Sequence, residues 1–334
     1  MQRHFKRFLV TGGAGFIGSA FIRYGLQNIP SCEKIVNVDL LTYAANPGSL
    51  HFVSQDPRYH FVQADIIDQE VIGRLCVEHD IEAIVHFAAE SHVDRSISLP
   101  HLFYKTNVEG TIALLEVIRK YPHIHFHHVS TDEVFGSLEQ EGHFTEESPY
   151  RPNSPYSASK AAADHFVRAY SHTYGLSTTL SYCTNNYGPG QHVEKFIPTM
   201  IANCCKKTPL PLYGKGENIR DWIFVDDHVE AIWMILEKGT SSKIYGIGGG
   251  CEKRNIDLVH LLIGELAKIQ GVDPQEFHPL IQFVTDRPGH DFRYAIDAAK
   301  IHRELGWRPL HDLLSGMRKT ISWYLENPAR LELL

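Results

Sequence analysis

Phe8-Leu9-Val10-Thr11-Gly12-Gly13-Ala14-Gly15-Phe16-Ile17-Gly18 is the stretch on which the fold turns. Its first three residues read as a short buried strand, and a helix is expected to follow to about Leu26. Gly12, Gly15 and Gly18 recur at every third position between the two. That spacing gives a tight turn, close backbone approach to a pyrophosphate and close helix–strand packing, with the phosphates on the helix N-terminus beside Phe16 and Ile17. A glycine triplet alone is a weak signal. Here a second strand, Ile35-Val36-Asn37-Val38-Asp39, follows and ends in an acid about twenty residues on. Asp39 can accept hydrogen bonds from a ribose 2′-hydroxyl and would repel a 2′-phosphate, which favours NAD over NADP.

Outward from this unit, strand and helix patterns alternate. Strands are expected at 61–65, 83–87, 126–130 and 178–183, and helices at 69–78, 102–119 and 157–174. Such alternation indicates an α/β chain, a doubly wound parallel (Rossmann) sheet with a smaller substrate-binding lobe. Regularity fails at 188–218 and 248–292, both punctuated by Pro and Gly. The expected division gives residues 1–187 to the nucleotide-binding domain, with 220–247 and about 294–330 returning to it. Residues 188–219 and 248–293 form the second lobe, and the active site lies in the cleft at the strand C-termini.

Composition narrows the function classes. A net charge of −7 with no basic stripe argues against nucleic-acid binding. No apolar run approaches a membrane span, and the basic start (Arg3, Lys6, Arg7) is followed by only three apolar residues before the glycines, too few for a signal peptide. Six cysteines without CxxC or zinc-finger spacing read as reduced thiols in a cytoplasmic protein. His123, His125, His127 and His128 resemble a metal cluster, but the apolar residues among them read as an ordinary strand, and no metal is expected.

The chemistry is carried by Thr131-Asp132-Glu133, which closes the strand at 126–130. Neighbouring carboxylates can be driven to different pKa values, so that one acts as acid and the other as base. About two dozen residues later, Tyr156 stands four before Lys160 on a helix, a phenol whose proton an ammonium helps release. Two kinds of proton transfer beside a redox cofactor suggest oxidation followed by elimination. An Asp-Glu pair is more often a solvated turn, but not downstream of a nucleotide site.

The glycine turn, the Tyr156/Lys160 pair and the strand order resemble the extended short-chain dehydrogenase/reductase family. Almost the whole chain resembles the dTDP-glucose 4,6-dehydratases within it: DLLTY at 39–43, AAESHVDRSI at 88–97, TN at 106–107, STDEV at 130–134, NNYGP at 185–189, EKFIP at 194–198, RDW at 220–222 and DRPGH at 286–290. The Asp-Glu pair separates this group from sugar-nucleotide epimerases and decarboxylases. The resemblance implies a lyase in which Tyr156, assisted by Lys160, takes the 4-hydroxyl proton of a nucleoside-diphosphate hexose while NAD accepts hydride. Thr131 holds that oxygen, Glu133 removes the C5 proton, and Asp132 protonates the departing 6-hydroxyl. It also implies NAD contacts from Thr42, Asp65, Ile66, Ala88, Ala89, Thr106 and Asn186. Contacts to the sugar and diphosphate are implied for Ser91, Asn185, Lys195, Tyr213, Arg220, Asn255, Arg287 and His290. Arg220 has a plainer alternative, an ion pair with Asp226 or Asp227. A homodimer is implied as well, its helices at 102–119 and 157–174 pairing with their symmetry mates and the small residues Ala161, Ala162 and Ala163 allowing close packing.

Tyr182, Gly246, Phe135 and Leu40 depart from the family pattern, where Arg, Asn, Tyr and Lys are usual, and no C-terminal tyrosine contact is evident beyond Tyr324. None is at a catalytic position, so they bear on the choice of base and not on the reaction class. Two other enzyme readings stay open, a 4,6-dehydratase or a 4-epimerase of another nucleoside-diphosphate sugar. A third is a non-catalytic NAD-binding relative.

Overall fold

The structure, a computed structural model, describes residues 3–332. Its first strand, β1 (Arg7–Thr11), runs through the glycine turn into α1 (Phe16–Asn28). Phe8, Leu9 and Val10 are at most 1% exposed, so each side chain contributes roughly 1.5–3 kcal/mol of burial. Continuing along the chain are β2 (Lys34–Asp39), β3 (Tyr59–Gln63), α2 (Gln69–Glu78), β4 (Ala83–His86), α3 (Val93–Ser98) and α4 (Pro100–Phe103). Helix α5 (Gly110–Lys120), β5 (His125–Thr131), α6 (Pro155–Tyr174) and β6 (Thr178–Cys183) follow. Asp68 caps α2 by accepting from the Val71 N–H, and Ser154 and Ser157 form a reciprocal capping box at the start of α6.

The helix expected at 102–119 is not continuous. A π-helical turn, Tyr104–Glu109, separates α4 from α5. At the junction the Thr111 hydroxyl donates to the Asn107 carbonyl (2.6 Å), and Gly110 packs so closely on Ile66 that a Cβ would clash. The widened turn puts Thr106 on the nucleotide cavity.

Beyond β6 come β7 (Asn185–Tyr187), α7 (Phe196–Lys206), β8 (Leu210–Tyr213), β9 (Ile219–Phe224), α8 (Val225–Lys238) and β10 (Lys243–Ile247). The last elements are β11 (Glu252–Arg254), α9 (Asn255–Gln270), β12 (Ile281–Val284), α10 (Ala299–Leu305) and α11 (Leu313–Glu326). Seven parallel strands make the large sheet, in the order β10-β6-β5-β4-β1-β2-β3. The chain reverses its direction of travel between β1 and β4, so the ligand crevice of such a sheet falls beside the glycine turn.

The two stretches expected to be irregular hold the helices α7 and α9. Pro198 is the third residue of α7, where its missing N–H lies among those without a helical partner anyway. Both helices pack in a second core with Trp222, Phe224, Leu313, Met317, Ile321 and Tyr324. Of the stretch 220–247, α8 and β10 join the large sheet and its core, while β9 pairs with β7 and β11. Of 294–330, α10 and Trp307 pack on the first core, but α11 packs on the second.

Candidate active site

The glycine turn is built for close approach. A Cβ at Gly12, whose φ is +70°, would stand 2.5 Å from the Ala88 nitrogen, and one at Gly18 would press into the Gly12 carbonyl. No acidic side chain lies in the first turn of α1, so its N-terminus is free to face phosphate. Asp39 is nearly buried and accepts from the Ala14 N–H (2.9 Å) and the Leu41 N–H (2.8 Å), which fixes its carboxylate at the rim. These features fit a dinucleotide with a free ribose 2′-hydroxyl.

A cavity of about 340 Å³ extends from this turn across the ends of β1, β4, β5 and β6. It gathers Gly12, Gly15, Phe16, Ile17, Gly18, Asp39, Thr42, Asp65, Ile66, Ala88, Ala89, Thr106 and Asn186. The same cavity holds Thr131, Asp132, Glu133, Tyr156 and Lys160, together with Ser91, Asn185 and Lys195. Tyr213, Arg220, Asn255, Arg287 and His290 lie outside its lining.

The acid pair is no solvated turn. β5 ends at Thr131, whose hydroxyl accepts from the Glu133 N–H (3.3 Å) and starts a short 3₁₀ turn. Asp132 is 2% exposed, and one of its carboxylate oxygens takes no hydrogen bond from the described residues. Burial, reinforced by the Glu133 charge, raises Asp132 well above the usual carboxylate range and so favours its protonated form. Glu133 is half-buried; burial raises it too, but Arg287, Arg220 and Lys195 oppose the rise. The environments thus drive the pair apart, one acid and one base.

Tyr156 is pushed well above its ordinary pKa by burial and the Glu133 charge, and its hydrogen bond with Thr131 opposes this. Lys160, one turn further along α6, donates to the Val129 carbonyl (2.8 Å) and lies 3.4 Å from His128 Nε2. Among the described residues no hydrogen bond joins its ammonium to the Tyr156 phenol.

On the lobe side, Arg220 is 5% exposed and donates to the carbonyls of Ile219 (2.7 Å), Asp291 (2.9 Å) and Phe292 (3.1 Å), with Tyr294 against its face. It makes no ion pair with Asp226 or Asp227; Asp227 pairs instead with His311 (2.8 Å). Arg287 pairs with Asp94 (3.0 Å), to which Tyr213 also donates (2.9 Å), and His290 lies 2.6 Å from Asp286. Lys195 reaches across the cleft to the Ser91 carbonyl (2.8 Å). Asn186 is committed to the Thr184 carbonyl and to His228, and Asn255 opens α9.

Several residues of the site carried no assignment in the sequence. Asn107 clamps the loop after β4, exchanging hydrogen bonds with the Glu90 backbone and donating to Ser159 (2.9 Å). Its place beside Thr106 in a recognisable segment was the available signal. Cys183, Gln191 and His192 also line the cavity, and nothing in their spacing marks them, while Glu194, which lines it too, opens the recognisable segment at 194–198. Two histidines of β5 are structural partners: His125 and His127 both hydrogen-bond Thr179 (2.9 Å).

Of the departures, Phe135 and Tyr182 pack edge to face and the Tyr182 hydroxyl contacts that of Tyr150. The Gly246 N–H donates to Glu146 (2.8 Å), and a Cβ there would crowd Ile296. Leu40 alone of the four lines the cavity.

Comparison with known proteins agrees with this geometry. The family model for GDP-mannose 4,6 dehydratase matches residues 9–320. A dTDP-glucose 4,6-dehydratase of Neisseria gonorrhoeae is 49% identical over 97% of each chain. One from Escherichia coli strain K12 is 48% identical over 96% of this chain and 93% of its own. Among solved structures, the Streptomyces venezuelae dTDP-glucose 4,6-dehydratase with NAD and TYD bound superposes with a TM-score of 0.90 at 46% identity, covering 97% and 98% of the two chains. A Thermotoga maritima UDP-glucose 4-epimerase shares the fold (TM-score 0.86, covering 96% and 99% of the two chains) at only 27% identity. With half of its residues shared end to end and the acid pair in the cavity, the chain belongs to the dTDP-glucose 4,6-dehydratase family.

Proposed function

We infer that the chain is a hydro-lyase that converts dTDP-glucose to dTDP-4-keto-6-deoxyglucose with NAD as its cofactor. The observation that carries this reading is the divided acid pair: burial pushes Asp132 toward its protonated form while Glu133 faces three cations, both beside Tyr156. An epimerase has no use for that division.

When bound, NAD supplies a hydride acceptor at C4 and a hydride donor at C6. Thr131 holds the 4-hydroxyl, and Tyr156 takes its proton. A ketone at C4 acidifies the C5 hydrogen, which Glu133 removes, while Asp132 delivers its proton to the departing 6-hydroxyl. C5 is then reprotonated. The Gly12–Gly18 turn and Asp39 would hold the pyrophosphate and adenosine ribose, and Asp65, Ile66, Ala88, Ala89 and Thr106 the rest of the dinucleotide. Ser91, Asn185 and Lys195 would meet the sugar; Tyr213, Arg220, Asn255, Arg287 and His290 would meet the nucleoside diphosphate. Arginine forks suit phosphate oxygens. The lobe binding that portion would comprise 188–219 and 248–293, packed on β9 and α11.

Turnover of a panel of nucleoside-diphosphate hexoses, with product analysis, tests this. dTDP-glucose should give the 4-keto-6-deoxy product at the highest kcat/KM; a 6-hydroxylated C4 epimer as product would sink the reading.

A cytoplasmic homodimer is part of the same proposal. Among the described residues no helix is long and apolar enough to cross a membrane. Leu102, Tyr104, Phe166 and Tyr174 are exposed on and between the helices expected to pair. Ala161 and Ala163, by contrast, are buried within the subunit and are not available to a partner. Sedimentation at micromolar concentration should read a dimer; a monomer would count against it.

A further inference from the structure

Below the cavity floor lies a set of buried polar groups to which the reaction above gives no role. The side chains of His128 on β5 and Asp164 on α6 are both fully buried. His128 Nε2 stands between two charged groups, 3.4 Å from the Lys160 ammonium and 3.2 Å from Asp164 Oδ1. The other carboxylate oxygen, Asp164 Oδ2, accepts from Ser130 (2.7 Å) and Tyr150 (3.2 Å), and the Tyr150 hydroxyl contacts that of Tyr182. Oδ1 accepts no hydrogen bond from the described residues, and neither does His128 Nδ1 have a partner. Leaving such atoms unsatisfied in a dry interior costs free energy, because they lose water without gaining a partner. A site built only for stability would satisfy them or replace them with apolar groups.

His128 is held neutral, well below its ordinary pKa, by burial and by the Lys160 charge. A neutral imidazole can use Nε2 in one way at a time: it accepts from Lys160, or it donates to Asp164. The carboxylate, imidazole and ammonium therefore share a limited number of protons. Burial pulls the Lys160 ammonium down, and the Asp164 charge heads the forces opposing that loss, with Cys183 on β6 next. Burial in turn lifts Asp164 to about 7, against Lys160, Ser130, Tyr150 and His165. His86 on β4 also feels Lys160, while Arg168 and Glu146 face Tyr182.

We propose that Asp164, acting through His128, is a positioning residue that keeps Lys160 charged and seated beside Tyr156 for the first proton transfer, a role that rests on the dehydratase reading. Tyr182, a departure from the family pattern, extends the same network through Tyr150. Neither Asp164 nor His128 lines the cavity, so neither touches substrate.

The sign of the effect is fixed by charge. Removing an anion makes proton loss from the Tyr156/Lys160 pair easier, so the apparent pKa of the pair falls. The proton lost then comes increasingly from Lys160, which lowers the active fraction. For NAD-loaded enzyme turning over dTDP-glucose, Asp164→Asn should move the acid limb of kcat down by about one pH unit and lower its plateau about tenfold, with KM nearly unchanged. Tyr150→Phe removes one hydrogen bond from the carboxylate, makes its charge less available, and should move the limb the same way by less. No turnover by the unaltered protein would overturn the dehydratase reading and this proposal together. Turnover by the unaltered protein, with the limb unmoved in folded variants, would overturn this proposal alone. Should Asp164→Asn fail to fold, Tyr150→Phe decides on the same criterion.

Discussion

Beneath Lys160, the side chains of His128 and Asp164 are wholly sealed from water, whereas across the cleft the Arg287–Asp94 pair is 21% and 36% exposed. On the sealed side, fixed neighbours in a dry interior set each charge, and a pKa can be moved far. On the lobe side Arg287 is engaged by the protein's own carboxylate, Asp94, and solvent screens the pair. The difference separates two tasks. Proton transfer needs groups whose ionisation is settled before substrate arrives; anion binding needs cations that can exchange one oxygen partner for another.

Changes on the sealed side should appear in kcat. Asp132→Asn and Glu133→Gln should each lower turnover about 10²–10⁴-fold with little change in KM, the usual scale for losing a general acid or base. Both should spare oxidation at C4, so that nicotinamide absorbance accumulates on mixing with substrate, and Tyr156→Phe should abolish that signal. Equal loss of the signal in all three variants would erase the distinction between oxidation and elimination.

Lobe changes should appear in KM. Arg287→Ala should raise KM about tenfold while kcat stays within a few-fold, the pattern of lost uniform binding. Asp94→Asn should act the other way and lower KM about two- to threefold, because it releases Arg287 for the diphosphate. A large kcat loss in Arg287→Ala would mean that this arginine acts on Glu133 and not on the anion.

Stability against pH gives the smallest effect, spread over many groups. Burial lowers His127 and His228 to about 3 and His290 to about 4. Each stays neutral in the folded chain and takes up a proton near pH 6.5 when unfolded. Their contribution is therefore full above about pH 6.5 and is lost as pH falls toward 4. Denaturant titrations should show unfolding free energy falling through that window, with a gentler slope in His228→Gln; a flat profile would contradict the neutral burial of these rings.

The nucleotide half of the site was legible in the sequence because its signals are local. The glycine spacing, Asp39 at the end of the next strand and the acid pair at the end of β5 each follow from a few consecutive residues. Helices α7 and α9 were not, because Pro198 in the first turn of α7 and Gly271 at the C-cap of α9 imitate loop punctuation. Nor was the orientation of Lys160 on α6, whose partners Val129 and His128 come from strand β5. Contacts of that kind depend on how β5 and α6 pack, and no window of sequence contains them.

The central claim is that hydride leaves C4 and returns at C6 within one turnover while Glu133 handles the C5 proton. Substrate deuterated at C4 tests it most directly. The account predicts product deuterated at C6, with no label lost to solvent, and a C5 position that takes up deuterium from heavy water. Label recovered at C4 in a product that retains its 6-hydroxyl would contradict it.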